Sequence, residues 1–414
     1  MSHKDFCIYV NSSEFQEKLK TYNDAIATGQ ERFLDVDDLI DIADYYYSIE
    51  NNATKALQAA EYCIRLFPDE EMALYIMARI YLNEFKDTKR ARKYLEKVEN
   101  YMNTTEGVLI HAEILLSEGN AQAASEAFEA EYKKIKEEAE RNDMQGDVYG
   151  FGDEEEEDGY DAKLLLEEYP LDVAMLFNDY MYYIQAELWM RKMPAPPSEK
   201  QYEYWHTLGC IYFSTGRLEQ SIDAYNKAID IDAYSIRSWL QLCDAQYQLN
   251  RIDDTMQSTD YILALDPNNE DGLLYRGCCF LEKHNFTNAR QIFNKVLGLY
   301  PQNPRPHIFH AIIALEDKDV KTATEEFCNA IDKSNGDLNI LTDIGILLFD
   351  MGFKDGTYHL FKILLEAMIE NGIDAKAIIA QYLVKCCEAL GIDKQETDYY
   401  KLFLPSNAND SQNR

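Results

Sequence analysis

Between residues 202 and 235 the apolar positions fall into one helical stripe, then a second. Trp205, Leu208, Gly209 and Tyr212 stand at i, i+3, i+4 and i+7, the spacing that gathers side chains on one face of an α-helix. Gly216 marks the end of that helix. Ser221, Tyr225 and Ala228 then repeat the spacing at i, i+4 and i+7. Two helices of about fourteen residues, each roughly 21 Å long, are predicted with a tight turn between them. The pattern recurs with a stride of 34 residues: Trp239 follows Trp205 and Pro301 follows Pro267 at that interval.

Five such units run from about 202 to 371. The second shows Trp239, Leu242, Cys243 and Pro267. The third has Leu273, Gly277, Phe280, Ala289, Phe293, Val296 and Pro301. The fourth keeps Ala311, Ala314, Ala323, Phe327 and Ala330, and the fifth Leu341, Ile344, Gly345, Leu348, Gly352, Phe361 and Leu364. The stretch 37–140 follows the same register in about three looser units, with Ile40, Ala43, Tyr47, Ala56 and Ala60, then Leu74, Ala78, Tyr81, Ala91 and Leu95, then Ala112, Gly119, Ala124 and Phe128. A fixed period of this length is the signature of stacked helix pairs, in which each unit buries its apolar side against the next.

These residues resemble the tetratricopeptide repeat, whose pattern is Trp, Leu, Gly and Tyr on the first helix, Ala, a large apolar residue and Ala on the second, then Pro in the turn. The resemblance implies an all-α solenoid of helix-turn-helix repeats, wound as a right-handed superhelix. The repeat core it implies comprises Trp205, Leu208, Gly209, Tyr212, Trp239, Pro267, Gly277, Phe293, Pro301 and Gly345. It also implies a concave face lined by the first helices, where ligands meet positions two, five, nine and twelve of each unit. Here those include Tyr45, Tyr75, Arg79, His206, Arg237, Asp244, Tyr247, Asn339 and Asp343, the candidate partner-binding residues. The family's clamp for a C-terminal carboxylate uses Lys and Asn at set inner positions. Glu203, His206, Cys210 and Asp244 occupy them here, so that clamp is missing.

The organisation expected is an N-terminal helical segment (1–36), a first array (37–140), an acidic loop (141–161), a linker helix and proline-rich turn (162–201), a second array (202–371), capping helices (372–404) and a disordered tail (405–414). Residues 147–161, DVYGFGDEEEEDGYD, hold eight acidic residues and no basic one, a block that stays solvated. Pro194, Pro196 and Pro197 stop the apolar linker helix.

Charge narrows the partners. The chain of 414 residues carries a formal charge of −34 from 74 acidic and 40 basic residues. Phosphate backbones and anionic membranes demand the opposite sign, so nucleic acid and membrane are not expected as partners, and a protein or peptide with a basic patch is. The nine cysteines form no CxxC and suit buried thiols in the reducing cytoplasm. His307 and His310 form an HxxH, but both fall at packing positions without further ligands at supporting spacing. No metal or other cofactor is expected. Neither GxSxG, a phosphate loop nor HExxH occurs, so no enzyme is expected. The function expected is a scaffold or adaptor that binds a peptide or protein surface in its groove. The alternative is a ligand-sensing regulator whose two arrays clamp and release around residues 141–201.

Overall fold

Ten corners with left-handed backbone organise the chain. They fall at Asn51, Lys86, Gly119, Met181, Gly216, Asn250, His284, Lys318, Gly352 and Gly391, with φ between 49° and 89°. From Gly216 to Gly352 they keep the stride of 34 residues. Each lies between two helices. The corner ends the first helix by turning backbone donors back onto its last carbonyls: Gly216 N–H donates to Phe213 O at 2.9 Å and Arg217 N–H to Tyr212 O at 2.8 Å. At several corners the next residue starts the second helix as an N-cap. Asn52, Asp87, Asn285 and Asp319 each accept a backbone N–H on their side-chain oxygen, which satisfies a donor the helix itself cannot.

The computed structural model describes residues 6, 9–30, 32–146, 162–198, 200–350, 352–370, 372 and 377–404. Among the described residues there are twenty-one α-helices and no strand. Helix α1 (Ser13–Thr28) precedes the hairpins. The first five hairpins are α2 (Val36–Asp44, continued by a π-helical turn, Tyr45–Ile49) with α3 (Ala53–Leu66), α4 (Glu71–Asn83) with α5 (Thr88–Leu95), α6 (Thr105–Ser117) with α7 (Ala121–Gly146), α8 (Ala162–Asp179) with α9 (Tyr183–Met190), and α10 (Gln201–Ser214) with α11 (Leu218–Ile231). The next five are α12 (Ile236–Gln248) with α13 (Ile252–Leu265), α14 (Glu270–Glu282) with α15 (Phe286–Leu299), α16 (Arg305–Glu316) with α17 (Val320–Lys333), α18 (Leu338–Asp350) with α19 (Lys354–Glu370), and α20 (Ala377–Leu390) with α21 (Lys394–Lys401). The chain divides into two compact units, Met1–Ile231 and Asp232–Arg414, each holding five hairpins.

Within a hairpin the closest approach is built from one small residue and one ring. A Cβ on Gly209 would stand 2.5 Å from the Tyr225 ring, and at Gly277 and Gly345 it would come closer still to Phe293 and Phe361. Each ring lies sixteen residues after its glycine, and each is fully buried. Where the register holds Cys243 instead, the facing position is the smaller Thr259, so the summed volume is roughly kept. Ser221 Oγ donates to Gly209 O at 2.9 Å and Thr357 Oγ1 to Gly345 O at 3.2 Å, a second tie at the same register.

Between hairpins the apolar sides merge. One core runs from Ala112 and Phe128 through Tyr169, Phe177 and Trp189 to Ile211 and Ala224. Another runs from Ile308 to Tyr400. Trp205 and Trp239 are only half-buried. Trp205 lies under the Lys227 ammonium at 3.8 Å and Trp239 stacks on Tyr261 at 4.5 Å, while Leu273, at the same register, is buried. Pro267 and Pro301 are exposed turn residues and not part of the core. Their carbonyls accept from Lys295 and Lys333.

Residues 162–193 depart from a single linker helix. The chain turns at Met181, and α8 and α9 pack as a hairpin like their neighbours. Pro170 stays inside α8. The division into units falls at 231/232, inside the stretch read as one array, because Phe177, Trp189, Ile211 and Ala224 share one core. The acidic stretch 147–161 and the tail 405–414 lie outside the described residues.

The last hairpin is docked by a carboxylate. Glu396 on α21 accepts from Tyr358 Oη at 2.6 Å, Lys362 Nζ at 2.8 Å and Tyr400 Oη at 2.8 Å. The Lys362 donor first, then the two hydroxyls, push its pKa down from 4.5 to about 2. A depressed carboxyl adds stability above its unfolded pKa and loses it as pH falls through the folded one. Docking of α21 is therefore expected to weaken on acidification from 4.5 towards 2. Faster amide exchange in α21 over that range would be the readout, and Glu396→Gln is expected to show the loosened state already at pH 7.

Candidate functional site

The first helices of the hairpins carry the unusual polar residues, and in each unit these gather across several helices. Arg79 (α4) and Glu113 (α6) are lone charges inside the apolar runs MALYIMARIYL and GVLIHAEILL. The fold brings them together. Arg79 pairs with Glu106 at 2.9 Å. Glu113 is 8% exposed; burial pushes its carboxyl up, against the pull of the Arg79 charge and an Asn83 hydrogen bond. Tyr180 at the end of α8 bonds to Glu113, and its hydroxyl is also raised, mainly by burial. Further along α8, Lys200 Nζ lies 2.8 Å from Asp172 and 3.0 Å from Glu168. Burial still leaves the Asp172 carboxyl raised. A desolvated acid of this kind favours any cation that approaches it.

The second unit repeats the theme with tyrosines. Tyr247 Oη donates to Glu282 Oε1 at 3.2 Å, and its ring meets Tyr275 edge-on at 6.1 Å. Burial raises both hydroxyls, and Tyr275 also bonds to Asp244. Arg305 Nη1 stands 3.4 Å from Asp271 and is the cation acting on Asp343. Asp244, Asp271 and Glu282 thus act on a tyrosine pair, and Arg305 links Asp271 to Asp343.

The residues expected on this face divide. Asp244, Tyr247 and Asp343 join the cluster, and Arg79 sits among carboxylates in the first unit. Tyr75 is 3% exposed and its hydroxyl is 2.7 Å from Thr104 Oγ1. His206 is 4% exposed, stacked on Tyr202 with Cys210 Sγ 3.7 Å from Nε2. Tyr45 packs edge-on to Phe15 at 5.2 Å. These three are packing residues. Tyr75 and His206 stand at position five, where Leu274 and Ile308 are buried in other units; Tyr275 and Asp343 stand one place on, at six, and Glu282 at thirteen, a register shifted by one. Arg237 and Asn339 are exposed. Glu113, Tyr180, Tyr275 and Glu282 were absent from the expected set. Glu113 was findable as a single carboxylate in an apolar helix; the others belong to that shifted register or to the missed hairpin.

His307 and His310 do not converge on a metal geometry. His307 Nδ1 lies 2.6 Å from Glu326 Oε2, and His310 is buried against Phe293. Among the described residues no three His, Cys, Asp or Glu are placed to hold a metal ion, and no helix is long and apolar enough to cross a membrane.

The serial hairpins with glycine-to-ring contacts define an all-helical repeat protein of the solenoid class. Profiles described as tetratricopeptide repeat match residues 72–101, 202–234 and 271–303. These stretches of the chain are tetratricopeptide repeats. It is 32% identical over 110 residues to peptidyl-prolyl cis-trans isomerase FKBP4 of Rattus norvegicus, and equally to that of Homo sapiens. The match takes in 23% of this chain and 24% of each relative, so the chain spans about a quarter of the length of these curated relatives. Among solved structures, a tetratricopeptide repeat protein from Parabacteroides merdae aligns with a TM-score of 0.40 at 19% identity, over 57% of this chain and 98% of that one. MamA aligns with a TM-score of 0.36 at 18% identity, over 41% and 98%.

Proposed function

We propose that this protein-interaction scaffold is non-catalytic and receives a basic, extended peptide segment along the face of its first helices. The observation that carries the reading is the excess of carboxylates over cations there, around Tyr247 and Tyr275. Tyrosines offer apolar area and hydrogen bonds together, and surrounding acids select Lys and Arg. The net charge of −34 adds attraction at long range. A preformed repeat surface has little to order on binding. The buried free thiols Cys63, Cys243, Cys279, Cys386 and Cys387 fit a reducing compartment, the cytoplasm.

A clamp hinged at residues 141–201 is less well supported. Phe128 on α7 and Phe177 on α8 meet edge-on at 5.4 Å, and Lys192 reaches Glu129 at 2.7 Å, so the helices flanking 147–161 are tied together.

The test is titration of the chain with a Lys/Arg-rich peptide and a Glu-rich peptide of equal length. The basic one is expected to bind, and to bind more weakly as salt rises from ~50 to ~300 mM, which shortens the screening length about 2.4-fold. The combination Asp244→Asn, Asp271→Asn and Glu282→Gln is expected to weaken it on the order of tenfold, about 0.5 kcal/mol per exposed charge. Equal affinity for both peptides, or an affinity indifferent to salt, refutes the reading.

A further inference from the structure

One outer helix breaks the surface pattern kept by all the others. Counted from the left-handed corner, the third and seventh residues of the second helix face solvent. They are Gln122 and Glu126 in the hairpin before α9, and Glu219 and Asp223 in the hairpin after it. In every hairpin but one both positions are polar. In α9 they are Ile184, 72% exposed, and Leu188, 55% exposed, and the corner itself is Met181, 72% exposed. Met181, Ile184 and Leu188, at spacings of three and four and with the last two at positions that are polar in nine sister hairpins, form a stripe about two turns long that is open among the described residues. Interior positions of α9 are unremarkable: Ala186 and Trp189 are buried as the register requires.

We propose that this stripe is a docking ridge for an amphipathic helix with basic shoulders. The spacing Met181, Ile184, Leu188 matches a partner that presents apolar anchors at i, i+3 or i+4, and i+7. The shoulders are set by charge: Glu126, Glu219 and Asp223, all exposed, occupy the flanking outer helices at the same register. A partner with Lys or Arg beside its apolar stripe complements them. A second copy of this chain would bring like charges together, two chains of −34 each, and an anionic membrane is repelled likewise. The ridge is on the second helices, apart from the first-helix face of the proposed function, and stands or falls separately.

The probe is an 18-residue peptide of leucine and lysine with the leucines in one helical stripe. Controls are a scrambled order and a version with glutamate for lysine. Binding to the full chain is followed by fluorescence anisotropy. The striped Leu/Lys peptide is expected to bind at least tenfold more tightly than either control. Ile184→Glu with Leu188→Asp, which restores the polar pattern of the other hairpins, is expected to erase that preference with the circular dichroism spectrum unchanged. Ile184→Gln with Leu188→Gln serves as a second variant without added charge. The triple variant Asp244→Asn, Asp271→Asn, Glu282→Gln is expected to leave the preference for the striped peptide intact. Undiminished preference in both ridge variants overturns the proposal. So does failure of the wild-type chain to prefer the striped Leu/Lys peptide, or a wild-type dimer in sedimentation equilibrium that dissociates in the ridge variants.

Discussion

Trp189→Ala is expected to destabilise the first unit by about 3–5 kcal/mol, the cost of removing a large buried aromatic and leaving a cavity. Trp189 is 2% exposed. Its ring meets Phe128 at 6.2 Å, Tyr132 at 5.6 Å and Tyr169 at 6.1 Å, all edge-on, and Lys192 Nζ caps it at 3.5 Å. Those partners come from α7 and α8, so the loss falls on the junction of two hairpins. In a serial stack each hairpin is stabilised mainly by its neighbours. Amide exchange is therefore expected to accelerate in α7–α10 and to stay unchanged in α14–α19. Urea unfolding followed by circular dichroism gives the energy. A change under 1 kcal/mol would show that α9 is a loosely attached linker after all.

Why α8 and α9 were harder to read than α10 and α11 has a physical answer. The corner at Gly216 holds the residue that tolerates positive φ best; the corner at Met181 does not, and Pro170 in α8 looks like a helix stop. The small residue that seats the second helix is nonetheless there, Ala186, in the register of Ser221. A left-handed methionine hides the turn, while the packing position survives. The binding face shows the complementary limit. Helical periodicity places Asp244 and Tyr247 on an open register, yet it cannot tell a residue that turns toward the adjacent hairpin from one that turns away. Tyr75 and His206 turn inward, whereas in the second unit Tyr275, one position along, is half-buried beside Tyr247, and Glu282 is exposed. The clustering of Glu113 with Tyr180 depends on contacts between α6 and α8, some sixty residues apart, which no local pattern encodes.

Gly277→Leu is expected to cost about 1–3 kcal/mol or more, through overpacking. An added Cβ alone meets Cε1 and Cζ of Phe293 inside contact distance, and Phe293 is fully buried, stacked at 4.6 Å on Phe309. The ring has no free side to retreat to. A branched chain must push α14 and α15 apart. The chain itself supplies the control. At the register of Gly277 the next hairpin has Ala311, opposite Phe327, which is 9% exposed where Phe293 is fully buried. One methyl is thus accommodated by easing the ring outward, and Gly277→Ala is expected to cost less than the leucine. If strain against Phe293 is the cause, pairing Gly277→Leu with Phe293→Ala recovers part of the loss, whereas helix propensity alone would make leucine better than glycine by about 0.8 kcal/mol. Thermal denaturation of the single and double variants separates the two, because propensity predicts a gain where overpacking predicts a coupled loss.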